Sequence, residues 1–285
     1  MRTCADVATI TQSEQIEQAN ASGKTPVIFV HGLWLLPSSW QSWMDLFAEA
    51  GYAPLAPGWP DDPETVEAAR ANPRALAGKG VVQVADHFAE AIAALDRKPA
   101  IVGHSFGGLI AQILAGRGLS LATVAVNPAP FKGVLPLPIA AIRTVLPVLR
   151  NPLNKSRAVT LSFDQFRYGW ANAVAEDEAR ELYERYHVAA PGKPIFQAAM
   201  ANLNPAAETK ADTKSTDRGP LLIFTGAKDH AVPPAMSVAA FKKQSENPGV
   251  TEHIEMPNRG HSLTIDHGWR EVAENALAFV KRFGD

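Results

Sequence analysis

The pentad Gly103-His104-Ser105-Phe106-Gly107 constrains this chain more than any other stretch. An apolar run, Pro99 to Val102, precedes it, and a helical pattern from Leu109 to about Ala115 follows. A serine in that setting, with glycine two residues away on either side, sits on a tight strand-to-helix turn. The turn brings backbone segments together, so a side chain at 103 or 107 would collide; Gly108 extends the same allowance. Ser105 is then presented at a helix N-terminus, where free N–H groups and the helix dipole favour developing negative charge. A chain of 285 residues holds the bare G-x-S-x-G pattern by chance about 0.1 times. The strand before it and the helix after it lower that several-fold. The pattern is not a dinucleotide-binding fingerprint, which fails at Ser105.

The flanking sequence supplies the rest of a sheet. Val27-Ile28-Phe29-Val30 is apolar throughout, the mark of a strand buried on both faces, and ends in His31-Gly32. Pro37-Ser38-Ser39 offers capping chemistry for a helix over 40–50, which Gly51 closes. A short strand is predicted over 52–56 and a loop over 57–63. Apolar positions at 81, 84, 88, 92 and 95 make 81–96 an amphipathic helix. Leu121 to Val126 is another buried strand. Later come a strand at 221–224, a helix at 235–244, an alternating strand at 250–256 and a closing amphipathic helix at 269–283. This alternation predicts an α/β fold with a mostly parallel, doubly wound sheet.

Residues 128–219 interrupt the alternation. Prolines stand at 128, 130, 136, 138, 147 and 152, helical patterns at 175–187 and 194–202, and no strand-like run occurs before Leu221. The segment is predicted to be a helical cap or lid inserted between two sheet strands. The core is then 26–127 with 220–285, and residues 1–25 form a polar tail or short surface helix. Nothing in the net charge of −2, with both signs mixed along the chain, suggests a nucleic-acid or polyanion partner. The single cysteine, Cys4, excludes a disulfide within the chain. The N-terminus has no apolar signal region, and no run approaches the ~20 apolar residues that span a bilayer. A cytoplasmic protein with no nucleic-acid or membrane partner is expected, and a homodimer is left open.

A serine hydroxyl is a poor nucleophile without a base to take its proton and a carboxylate to hold the base. On a strand-to-helix elbow these partners follow downstream, acid before base. Among the later histidines, His261 sits in Asn258-Arg259-Gly260-His261-Ser262, between the last strand and the last helix. That is the sheet edge where open α/β sheets bind ligands. His187 reads as a solvated face of a charged helix, His253 alternates within a strand, and His267 begins the last helix. Asp229 directly follows the strand at 221–225 and precedes His261 by 32 residues, enough for one helix and one strand. Both side chains therefore end on one edge. The other place for the acid, the end of strand 121–126, holds the uncharged Asn127, and Asp266 stands too near His261 in sequence. Donors for an oxyanion are expected from the N–H of Phe106 and, in the loop His31-Gly32-Leu33-Trp34, from the N–H of Leu33.

Aromatic residues gather in loops at this edge: Trp34, Trp40, Trp43, Trp59, Phe106 and Phe131. An apolar pocket is expected, with Trp34, His104, Phe131 and His230 binding substrate, while Asp61 and Asp62 read as solvated loop.

Together these segments resemble the α/β-hydrolase superfamily. His31-Gly32 is similar to its oxyanion loop, residues 103–108 to its nucleophile elbow, Gly226 to Pro233 to its acid loop and Arg259-Gly260-His261 to its histidine loop. The antiparallel strand pair that usually opens such chains has at most a weak counterpart at residues 5–10. The resemblance implies a Ser105–His261–Asp229 triad and no cofactor or metal. It does not settle the substrate; the apolar pocket makes the expected activity the hydrolysis of an ester or lactone of a small to medium apolar substrate through an acyl-enzyme on Ser105. The same triad would serve a C–C bond hydrolase, a perhydrolase or an amidase, and a ligand sensor that does not turn over is the alternative outside enzymes.

Overall fold

A computed structural model describes residues 11–284. The weak strand expected at 5–10 and Cys4 lie outside the described residues. The polar N-terminal stretch forms α1 (Gln12–Ser22). Thr11 and Glu14 cap it reciprocally, each side chain bonding the other's backbone N–H, and left-handed Gly23 closes it.

The frame is a six-stranded sheet. In chain order the strands are β1 (Pro26–Val30), β2 (Ala53–Leu55), β3 (Ala100–His104) and β4 (Thr123–Val126), then, after a long excursion, β7 (Leu221–Gly226) and β8 (Thr251–Met256). They pair in the order β2-β1-β3-β4-β7-β8, every pair parallel. All residues of β1, β3, β4 and β7 are buried, as continuous apolar runs require, while the edge strand β8, expected to alternate, is partly covered along most of its length and buries only Met256.

Helices cover both faces. α2 (Gln41–Glu49) and α11 (Trp269–Lys281) lie on one, where Phe29, Trp40, Trp43 and Phe47 pack with Val272, Ala276 and Val280. On the other lie α4 (Val81–Ala93) and α5 (Phe106–Gly116), preceded in the chain by the short α3 (Val66–Ala71), together with α10 (Pro234–Gln244), which adds Met236 and Ala240. The period-3.6 residues Val81, Val84, Phe88 and Ile92 are the buried stripe of α4.

Between β4 and β7 the chain builds α6 (Ile139–Leu149), α7 (Phe163–Gly169), α8 (Glu176–Tyr186) and α9 (Lys193–Ala199). Their apolar faces, through Val148, Phe166, Trp170 and Leu182, join the core of the α4–α5 layer. The segment is not free of strand. β5 (Ala158–Val159) and β6 (Ala190–Pro191) pair antiparallel. Two-residue strands are too short to leave a periodicity in sequence. His187, expected on a solvated face, is 3% exposed, because the chain leaves α8 there and the ring turns inward to stack on Tyr183 and accept the Leu161 N–H.

The strand register sets where the site is. Val30 stands beside Gly103, His104 beside Val126, Val126 beside Phe224 and Gly226 beside Met256. Consequently His31, Ser105, Asn127, Asp229 and His261 all emerge at the carboxyl edge. The chain reverses direction across the sheet between β1 and β3, which opens a crevice at that edge.

Candidate active site

Ser105 is the pivot between β3 and α5. Its backbone is at φ 56°, ψ −120°, a conformation costly for a residue with a Cβ. The turn is held from both sides: Ser105 N–H donates to Val126 O at 3.0 Å, and its carbonyl accepts from Leu109 at 3.1 Å and Ala129 at 2.9 Å. The two pentad glycines answer to contacts. A Cβ on Gly107 would overlap the Val30 carbonyl, and one on Gly103 would overlap the Gly107 carbonyl. The turn is thus wedged against β1, and a Cβ at Gly32 would stand 2.8 Å from Ser105 Cβ.

His261 lies in the loop after β8 and is 1% exposed. Its Nδ1–H donates to Asp229 Oδ2 at 2.7 Å. A carboxylate acceptor at Nδ1 fixes the tautomer and leaves Nε2 with a lone pair. Asp229 is itself oriented: Oδ1 accepts from Ala231 N at 2.7 Å and Val232 N at 2.8 Å, a turn closed by its own side chain. The imidazole is clamped between rings, with Trp170 edge-on at 4.5 Å and His104 at 4.7 Å between centroids. Ser105 and His261 line one cavity of about 290 Å³ without a direct hydrogen bond to each other. Such contacts are often loose without a bound substrate.

The cavity wall is mainly apolar. Trp34, Phe106 and Phe131 line it, as do Trp170, Ile195 and Met236. Trp40 and Trp43 are instead core, packed on Phe29, and Trp59 stacks on His31. Trp170, which no local pattern marked, arrives from the end of α7. Phe106 opens α5, so its N–H has no partner within the helix. Neither its amide nor that of Leu33 donates to a turn or loop carbonyl.

His104 and His230 were expected to bind substrate and do not line the cavity. His104 is fully buried beneath it and donates Nε2–H to the His261 carbonyl at 2.9 Å. Burial, and then the neighbouring His261, hold its pKa well below the ordinary histidine value. It is a neutral strut for the His261 backbone. His230 donates Nδ1–H to the Tyr168 carbonyl at 2.9 Å and packs on that tyrosine, tying the loop that carries Asp229 to α7.

Other polar residues hold the loops. Asn127, at φ 41°, accepts the Gly226 N–H at 2.7 Å and donates to the Gly260 carbonyl at 3.1 Å. It therefore joins the strand that leads to Asp229 with the loop that carries His261. Asp266 is buried, accepts from Ser262 Oγ, Arg259 Nη1 and the Gly268 N–H, and has its pKa raised chiefly by burial. Asp62 is not solvated as expected: its Oδ2 is 2.8 Å from His31 Nε2 and accepts the Trp59 N–H at 2.7 Å. Asp61 is exposed beside Lys79. Among the described residues no cluster of three or more His, Cys, Asp or Glu side chains could hold a metal ion.

A parallel sheet with an elbow serine at its carboxyl edge, beside a histidine–carboxylate pair, defines the class of α/β hydrolases. The chain belongs to the alpha/beta hydrolase family, whose model matches residues 27–275. No functionally curated sequence matches it. Solved structures with the same fold include a monoacylglycerol lipase from Paleococcus ferrophilus at 20% identity, covering 90% of this chain and 94% of that one with a TM-score of 0.63. A pyrethroid hydrolase from Sphingobium faniae is similar at 17% identity over 90% and 97% of the two chains, with a TM-score of 0.60. A methylesterase protein from Arabidopsis is similar at 13% identity over 90% and 99%, also with a TM-score of 0.60.

Proposed function

We propose that the protein is a serine hydrolase cleaving an ester or lactone bond of a small to medium apolar substrate through an acyl-enzyme on Ser105. The observation that carries this reading is the elbow serine and His261, itself held by Asp229, lining one apolar cavity. Ser105 Oγ attacks the acyl carbon while His261 Nε2 takes its proton. Asp229 holds the imidazole and stabilises its charge. The N–H groups of Leu33 and Phe106 receive the oxyanion, and residues 128–219 form a cap over the site. His261 then protonates the leaving alcohol and activates the water that releases the acyl group. The ester-acting proteins that share the fold agree with this chemistry without fixing the substrate.

Labelling with a fluorophosphonate, followed by mass spectrometry of the modified peptide, tests the nucleophile. Modification at Ser105, abolished in Ser105→Ala, is expected, together with turnover of p-nitrophenyl esters. Label on another residue, or undiminished turnover in Ser105→Ala, ends the reading. Label on Ser105 without ester turnover shifts it to one of the other bonds a triad can break.

A further inference from the structure

We propose that the outer face of the 128–219 segment, around the cavity mouth, docks on a lipid surface carrying anionic headgroups. Eight of the nine large apolar side chains most exposed among the described residues belong to this segment. Leu135 is 75% exposed, Leu137 67%, Ile139 83%, Leu146 51% and Leu203 78%. α6 explains the placement. Its Ala141, Thr144 and Val148 face the core, and the opposite side carries Ile139, Ile142 and Leu146 at helical spacing. Exposed Leu203 stands beside the 133–137 loop that carries Leu135 and Leu137, because Asn202 accepts from Gly133 N at 2.7 Å and donates to Val134 O at 2.9 Å. A helix that is apolar outward as well as inward leaves a patch that water disfavours.

Charge selects the occupant. From Phe131 to Phe163 the chain carries Lys132, Arg143, Arg150, Lys155 and Arg157 and no Asp or Glu, although the whole chain is net −2. None of the five is ion-paired among the described residues. Arg143 lies over the Tyr168 ring, Lys132 donates to backbone carbonyls, and Arg150, Lys155 and Arg157 are exposed. An apolar face flanked by unpaired cations is the pattern of an element lying in the headgroup region of an anionic bilayer. The patch is continuous with the cavity, since Leu135, Leu137 and Ile142 line its mouth. An apolar molecule could pass from lipid to Ser105 without crossing bulk water. The sequence expectation of no membrane partner rested on the lack of a spanning run. No helix of the described residues is long and apolar enough to cross a membrane, and surface docking needs none.

Flotation with vesicles tests the proposal, using phosphatidylcholine alone or mixed with phosphatidylglycerol, and Ser105→Ala protein so that lipid is not consumed. The protein is expected to float with the mixed vesicles and to be released by salt. Ile139→Gln with Leu146→Gln should lower the bound fraction about tenfold. Arg150→Gln with Lys155→Gln should lower binding only to the anionic vesicles. On the Ser105 background the apolar pair should keep hydrolysis of a short soluble ester, which checks the fold. No flotation, flotation unaffected by the apolar pair, or a dimer in solution that this pair dissociates overturns the proposal. Failure of the hydrolase reading would show in the fluorophosphonate experiment and leaves flotation unchanged.

Discussion

Replacing Asn127 by alanine should loosen the site from a position that touches none of the reacting atoms. The side chain satisfies two buried backbone groups, Gly226 N–H and Gly260 C=O, at 2.7 and 3.1 Å, and is 0% exposed. Alanine leaves both without a partner, at about 1–3 kcal/mol each. It also keeps a backbone at φ 41° that asparagine tolerates better than alanine, adding about 1 kcal/mol. The sum is about 3–7 kcal/mol, a large share of the ~5–15 kcal/mol that holds a domain together. At about 2 °C per kcal/mol for a chain of this size, Tm should fall by about 6–14 °C. Because the lost bonds join β7 to the His261 loop, kcat for a soluble ester should fall more than KM rises. Scanning calorimetry and steady-state kinetics on the same preparation read both effects. A Tm within about 2 °C of wild type would show that the bridge is not holding the loops and refute the argument.

Three further outcomes are expected. Asp229→Asn removes the charge that balances the imidazolium and the acceptor that fixes its tautomer, so kcat should fall by about 10³–10⁴ with a much smaller change in Tm; a loss under about tenfold would remove Asp229 from the mechanism. Gly107→Ala drives a Cβ into the Val30 carbonyl, which the sheet cannot move away, and should cost at least about 1–3 kcal/mol or prevent soluble expression; a wild-type Tm would contradict the wedge against β1. Burial takes His187 down to about 4, against about 6.5 when unfolded, so the unfolded chain binds a proton that the folded one refuses. Stability from this group is complete above pH about 6.5 and declines as pH falls towards 4, by about 3 kcal/mol in all. Urea unfolding across that range should therefore show a flatter pH dependence in His187→Gln, and identical slopes would sink the account.

Much of the frame and the placement of the candidate site could be read from residue order. The pentad around Ser105, the apolar runs of β1, β3, β4 and β7, and the loops that hold Asp229 and His261 are local signals. Each depends on a few neighbours: a glycine where backbones touch, a period of 3.6 or an unbroken run, a turn after a strand. Parallel pairing then carries the strand ends to one edge, so Asp229 and His261, 32 residues apart, can be placed together before any coordinates are known.

What surrounds those groups was decided only by packing. Asn127 was set aside because it has no charge, yet its amide serves as donor and acceptor at once, between segments roughly a hundred residues and more away in the chain. Asp62 finds His31, His104 disappears beneath His261, and Trp170 comes in from α7 to form a wall. The outward apolar side of α6 is equally silent in sequence, where proline-rich and apolar text suggests a lid but not which side faces water. The reason is that a residue's own neighbours set its backbone geometry. Its burial, its partner and its protonation come from atoms that the chain delivers from far away, and those exist only once the layers have closed.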